Sequence, residues 1–221
     1  MTHCCVAFGF TLSKLGLMDD GARRDEAYAE LLGGEWQAFP DDTGESQIEV
    51  RRIRATPMKD RRVCDIWVTS GMSDMAMLDD DGDPFRRELI FYAEPGGDFA
   101  MALRAVARFP LEHETSLDHG HSIQLYGAFF VPGGAEALAS ETVDDVSLPH
   151  LVLLAPLVRR HQTLSEELVI AGCPVDFLWV VPISAAEHAL KTQHGTDALL
   201  DLFEARKHPW LFDVERTSYL R

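Results

Sequence analysis

The segment Asp118-His119-Gly120-His121 carries the densest set of side chains able to do chemistry. Imidazoles two apart on an extended strand project to the same face and could share a metal ion. A further ligand would have to come from Asp118 or His113. Two imidazoles alone fall short of the usual ligand set, and neither an H-E-x-x-H nor a cysteine–histidine motif accompanies them. A metal-dependent enzyme using Asp118, His119 and His121 is therefore the alternative reading rather than the first.

A second cluster, Asp79-Asp80-Asp81-Gly82-Asp83-Pro84, invites comparison with a calcium loop. Aligning Gly82 with the glycine of an EF-hand puts Asp79, Asp81 and Glu88 on ligand positions, but Met77 then falls on the first ligand position. The same run is a dense turn signal between two strand-like segments, which predicts a solvated hairpin turn. Its carboxylates Asp79, Asp80, Asp81 and Asp83 are the candidate contacts for another protein. Trp36, which follows Gly33-Gly34-Glu35, is the tryptophan to test for exposure, whereas Trp67, Trp179 and Trp210 read as core.

Other catalytic frames are missing. No serine stands in G-x-S-x-G, and Gly96-Gly97 and Gly133-Gly134 match no phosphate-cradling pattern. The adjacent carboxylates Glu166-Glu167 and Asp144-Asp145 point apart on a strand and diverge on a helix. Four cysteines, Cys4, Cys5, Cys64 and Cys173, form no C-x-x-C pair; Cys64 and Cys173 sit in apolar segments where cysteine behaves as a small hydrophobe. No catalytic residue and no cofactor is assigned.

The elements that must position these groups follow from periodicity. Gly21–Leu32 spaces Ala22, Ala27, Leu31 and Leu32 as a short helix. Gln47–Ile53 and Val63–Ser70 read as strands, and Glu88–Ala93 pairs with Met72–Leu78 across the acidic turn as a hairpin. Asp98 precedes a helix with Phe99, Ala102, Leu103, Val106 and Ala107 at helical spacing. Ile123–Val131 and Leu151–Val158 have strand lengths, and Val175–Ile183 is the predicted central strand. Ser184-Ala185-Ala186-Glu187 is a capping box for a helix to about His194; Thr196 repeats the start signal, and His208-Pro209 forces an exit.

The chain has 221 residues, 46% hydrophobic and 25% charged, which fits one globular domain. Its formal charge of −16 repels phosphate backbones and anionic lipid and attracts basic proteins. No apolar run reaches the roughly 18 residues of a membrane span, and Met1–Phe10 lacks the features of a secretory signal. The expectation is a cytoplasmic protein that binds neither nucleic acid nor membrane; its oligomeric state is not encoded in any pattern.

The order of four segments carries a family likeness: Val68-Thr69-Ser70-Gly71-Met72-Ser73-Asp74-Met75, Arg87-Glu88-Leu89-Ile90-Phe91-Tyr92, Glu114 to His121, and Val175 to Val181, with Pro209–Val214 as a closing segment. This series resembles the Suppressor of fused (SUFU) domain family over roughly 21–219, with 1–20 as an N-terminal extension or first strand. The resemblance implies an α/β (α+β) fold, a mixed β-sheet flanked by helices in a single SUFU-like domain, without catalytic activity. Animal members bind a zinc-finger transcription factor with the help of a second, C-terminal domain, and the expectation here is a single domain without it. Bacterial members include immunity proteins that neutralise toxins encoded beside them. The expectation is an immunity-like protein with a basic, toxin-like partner, the other readings being the metal enzyme and a housekeeping scaffold.

Overall fold

The computed structural model describes residues 20–33, 35–41, 44, 46–57, 62–79, 81–124, 148–156, 158–162, 167–213 and 216–220. Within them, runs rich in branched and aromatic residues form one mixed sheet. Its strands are β1 (Trp36–Phe39), β2 (Glu49–Pro57), β3 (Val63–Ser70), β4 (Met77–Leu78), β5 (Pro84–Ala93), β6 (Ser122–Gln124), β7 (His150–Leu154), β8 (Val169–Ile170) and β9 (Cys173–Ile183). The spatial order is β1-β2-β3-β5-β9-β7-β6, with β4 on β5 and β8 on β9. Only the β5–β9 pair runs parallel among the described strands.

Helices α1 (Asp20–Leu31), α2 (Ala100–His113), a short α3 (Arg159–Gln162) and α4 (Ala185–Arg206) cover the sheet. Strand alternation sorts side chains between two cores. Ile66, Val68, Ile90, Tyr92, Val175, Phe177 and Trp179 pack with Ala27, Tyr28 and Leu31 of α1 and with Leu199 and Phe203 of α4. Trp67, Leu89, Phe91, Leu178 and Val180 pack on the other side with Leu103, Val106 and Ala107 of α2. Each central strand is thus buried on both faces, which is why its sequence reads as a continuous apolar run.

Most sequence expectations hold, and the departures have local causes. The imperfect alternation of the second strand reflects burial on both faces, Ile48 and Val50 packing on the α2 side and Ile53 on the α1 side, while the shift in its pairing with β3 comes later, between Ile53 and Thr56. The expected strand Leu151–Val158 stops at Leu154, because Pro156 lacks an amide and Val158 accepts from His161 N at 2.8 Å to start α3. Of Ile123–Val131, residues 125–131 lie outside the described residues, as do 1–19 and Asp80. The two helices expected around Gly195 form one element with a break there, where φ is 88° and ψ 170°. The capping box at Ser184 is present: its Oγ accepts from Glu187 N at 3.2 Å, and Glu187 Oε2 accepts from Ser184 N at 2.9 Å. Among the described residues, no helix is long and apolar enough to cross a membrane.

Candidate functional site

Midway along β5 the chain buries a carboxylate. Glu88 is completely enclosed. An enclosed carboxylate needs donors on both oxygens. Glu88 Oε2 accepts from Thr69 Oγ1 at 2.6 Å. Its Oε1 accepts from Ser73 Oγ at 2.6 Å, Gly71 N at 2.9 Å and Ser73 N at 3.1 Å. Arg24 Nε of α1 lies 3.6 Å away. The turn after β3 can wrap this group only because Gly71 takes φ +114°; a Cβ there would sit 2.9 Å from the Gln47 carbonyl oxygen. The turn, so fixed, holds Asp74 against the Arg24 guanidinium, and Arg86 Nη1 donates to the carbonyls of Ser73 and Asp74.

The next residue back, Arg87, forms the floor of a cleft. Its guanidinium donates to Asp176 of β9, its partner in the parallel register, and to Asp118 Oδ1 at 3.0 Å. It also lies 4.6 Å from the centre of the Phe85 ring. The cleft measures about 270 Å³ and is lined further by His119, Pro156, His161, Gln162 and Phe177. Burial opposes ionisation of Asp118, but the His119 amide and the Arg87 guanidinium outweigh it and hold its carboxyl below the ordinary aspartate value. His161 is buried, with Nδ1 2.6 Å from Tyr92 Oη.

The ion pairs at this end of the sheet are unequal in exposure. The side chains of Arg24 and Arg87 are 5% and 12% exposed, whereas their partners Asp74, Asp118 and Asp176 are 49%, 45% and 49% exposed. The positive groups are sunk and the negative ones face solvent.

The acidic turn stands at the same end, directly before β5. Asp79 Oδ1 accepts from Asp81 N at 3.0 Å and Asp83 N at 2.8 Å, and Gly82 N donates to Asp79 O at 3.0 Å. It is the solvated turn expected from sequence, with Asp79, Asp81 and Asp83 exposed, but the hairpin it closes is shorter than expected: Met77 and Leu78 pair with Phe85 and Pro84, Met72–Asp74 form a 3-10 turn, and Glu88–Ala93 pairs with β3 and β9 instead. Trp36 does not join it. The tryptophan is half-buried on β1 beneath Arg51, whose guanidinium carbon is 5.2 Å from the ring centre. It lies in register with Ile53, Ile66 and Tyr92. Tyr92 is about 17 Å along β5 from Arg87 at the usual rise per residue.

His119 and His121 do not face one way. A turn intervenes, with Gly120 at φ +82° packed against Thr196, so the two-residue strand period does not apply. His119 Nδ1 accepts from Ala155 N at 3.0 Å, and His121 Nδ1 accepts from Asp118 N at 3.2 Å. Each imidazole spends that nitrogen on a different backbone amide. Among the described residues, no group of three or more His, Cys, Asp or Glu is placed to hold a metal ion.

A family model described as "Suppressor of fused protein (SUFU)" matches residues 44–217. The chain belongs to the SUFU family. Solved structures agree on the SUFU fold. A SUFU homologue from Neisseria gonorrhoeae superposes with a TM-score of 0.63 at 13% identity, covering 91% of this chain and 97% of that one. The structure titled "the Sufu-Fu complex crystal structure" gives 0.57 at 13% identity, covering 89% and 88%. Drosophila Suppressor of Fused gives 0.52 at 15% identity, covering 85% of this chain but 46% of that one. No curated protein matches the sequence.

Two of the SUFU-like segments are halves of one interaction: Thr69, Gly71 and Ser73 of the first supply the donors that Glu88 of the second requires. Their spacing therefore serves the stability of the site's floor. Arg87 and Asp176, the centre of the cleft, were missed from sequence. They lie 89 positions apart, and the only available hint was Arg86-Arg87, a basic pair directly before an apolar strand in an acidic chain.

Proposed function

We propose that this chain is a non-catalytic, cytoplasmic, protein-binding SUFU domain of immunity type, which neutralises a basic, toxin-like partner through the acidic end of its sheet. The observation that carries this reading is the asymmetry of the ion pairs. Buried Arg24 and Arg87 fix Asp74, Asp118 and Asp176 with their carboxylates half in solvent, beside the exposed Asp81 and Asp83. Carboxylates already held in place lose little side-chain freedom when a basic group docks, and a field of one sign speeds encounter with a basic protein. Leu78, 61% exposed next to the acidic turn, adds an apolar contact at the same end. Asp79 belongs to this face as part of the turn, and Asp80 lies outside the described residues; Trp36 lies outside the face. The chain of the Sufu-Fu complex was solved with another protein, which accords with a partner-binding role for this one.

The test is co-expression with the products of the genes on either side. One of them is expected to arrest growth alone, to be harmless when this chain is present, and to co-purify with it. Replacing Asp81, Asp83 and Asp176 by Lys together should abolish both rescue and co-purification. If neither neighbour is toxic or co-purifies, or if the triple variant rescues and co-purifies as well as the parent, the reading fails.

A further inference from the structure

The two halves of α4 are attached to the sheet by different means. Leu199 and Phe203 sink the second half into the core, whereas Glu187 is the only fully buried residue of the first half. The break at Gly195, with φ 88°, separates them. Beyond Glu187, the first half meets β6 and β7 through two polar side chains. His188 Nε2 lies 3.1 Å from Ser122 Oγ, and Lys191 Nζ donates to that same oxygen at 3.1 Å. The His188 ring stacks on that of His150, with centroids 4.1 Å apart and planes 5° from parallel.

Among the described residues, the surroundings hold little to neutralise a charge on this pair. On β7, His150 Nδ1 is buried without a hydrogen-bond partner. On β6, Gln124 stands opposite His150 and is uncharged; on β9, Ile183 stands on its other side. Glu187, one residue before His188, is committed to Arg216, to Tyr219 N and to its own cap. Among the described residues, none of His150, His188 and Lys191 takes part in an ion pair.

We propose that residues 188–194, the turns between the capping box and the break at Gly195, are an acid-released strap over the β6–β7 edge. Parallel imidazoles at this separation accommodate one proton at most, since two cations stacked face to face beside Lys191 repel in a half-buried setting. Burial and the adjacent His188 hold His150 below the ordinary histidine value; burial and Lys191 do the same for His188. Below about pH 6.5 the open strap binds protons that the stacked strap refuses, so opening gains about tenfold per pH unit for each proton excluded. The flanks stay in place. Despite burial, Arg216 and the amides of Tyr219 and Ser184 keep the Glu187 carboxyl below its usual value, and Leu199 and Phe203 carry no charge. Acid thus loosens the middle of the layer and uncovers Ser122–Gln124.

Native-state hydrogen exchange on the whole chain, corrected for intrinsic rates, tests the strap. Protection of amides 188–194 is expected to fall about tenfold between pH 6.5 and 5.5, while that of 197–206 holds. His188→Phe keeps the stack and removes one of its two proton sites, leaving only the buried His150, and should weaken the pH dependence of protection in the segment. His188→Gln serves the same purpose should the larger ring fail to pack, folding of both being checked by circular dichroism at pH 7.5. Unchanged protection in the parent at pH 5.5 overturns the proposal. So does equal loss across 188–194 and 197–206, or the parent's pH dependence persisting undiminished in whichever variant folds.

Discussion

Ser73 Oγ donates to Glu88 Oε1 at 2.6 Å, so a hydroxyl just past the end of β3 holds a carboxylate at the centre of the sheet. Arg24 approaches the same oxygen from α1, at 3.6 Å. Replacing Glu88 by Ala leaves Arg24 and four donors facing an empty space. The expected loss is about 3–5 kcal/mol, the range for removing one member of a buried charged pair, measured by urea denaturation at pH 7.5. Glu88→Gln retains acceptor capacity on one oxygen and should lose less.

Arg216 closes the opposite side of the molecule. Its guanidinium donates to Glu187 Oε1 at 2.8 Å and Oε2 at 2.9 Å, and to Pro182 O at 2.8 Å. Arg216→Ala strands a completely buried carboxylate, and a loss of about 3–5 kcal/mol is expected. The double change Arg216→Met with Glu187→Gln should recover most of it, because neither side then carries an unpaired charge. Equal instability of the single and double variants in thermal melts would remove this account.

His208 makes stability depend on pH. Burial first, then the nearby Arg216, push its imidazole down to about 4, against a smaller opposing pull from Glu187. The unfolded chain takes up this proton near pH 6.5 and the folded chain refuses it until about pH 4. The stabilisation is therefore complete above pH 6.5 and lost as pH falls toward 4, by on the order of 3 kcal/mol. Urea midpoints between pH 7.5 and 4.5 should show this slope, and His208→Gln should flatten it. The Tyr219 hydroxyl, 2.9 Å from His208 Nδ1, gives the amide a partner.

Asp81 and Asp83 engage the acidic turn through their backbone amides, which a side-chain change leaves intact. Asp81→Lys with Asp83→Lys should therefore shift stability by no more than about 0.5 kcal/mol. Association with the basic partner should slow on the order of tenfold at low salt, with little change at high salt. Stopped-flow mixing over a salt series separates the two; an unchanged on-rate at low salt removes the turn from the interface.

The strands at the centre of the sheet were legible because burial on both faces makes each a short, continuous run of branched and aromatic residues. Val63–Ser70 matches its strand residue for residue, and Val175–Ile183 falls within β9. Short-range chemistry was equally legible: the Ser184–Glu187 box and the turn at Asp79–Asp83 are complete within a few residues. The cleft was not. Arg87 meets Asp176 because β5 and β9 run parallel, and Asp118 because the segment before β6 is held on β7 beside β9, pairings that join distant segments and leave no local trace. His119 and His121 misled for the converse reason: the strand period was applied across Gly120, whose positive φ interrupts it.

The fastening of Glu187 by Arg216 and by the amide of Tyr219 bears on how the protein is made. Until Arg216 has left the exit tunnel of the ribosome, α4 cannot dock without enclosing a naked negative charge. The sheet can assemble during translation, but this layer must wait for Arg216 to emerge, so termination before Arg216 yields an unfinished body and not a slightly weaker one.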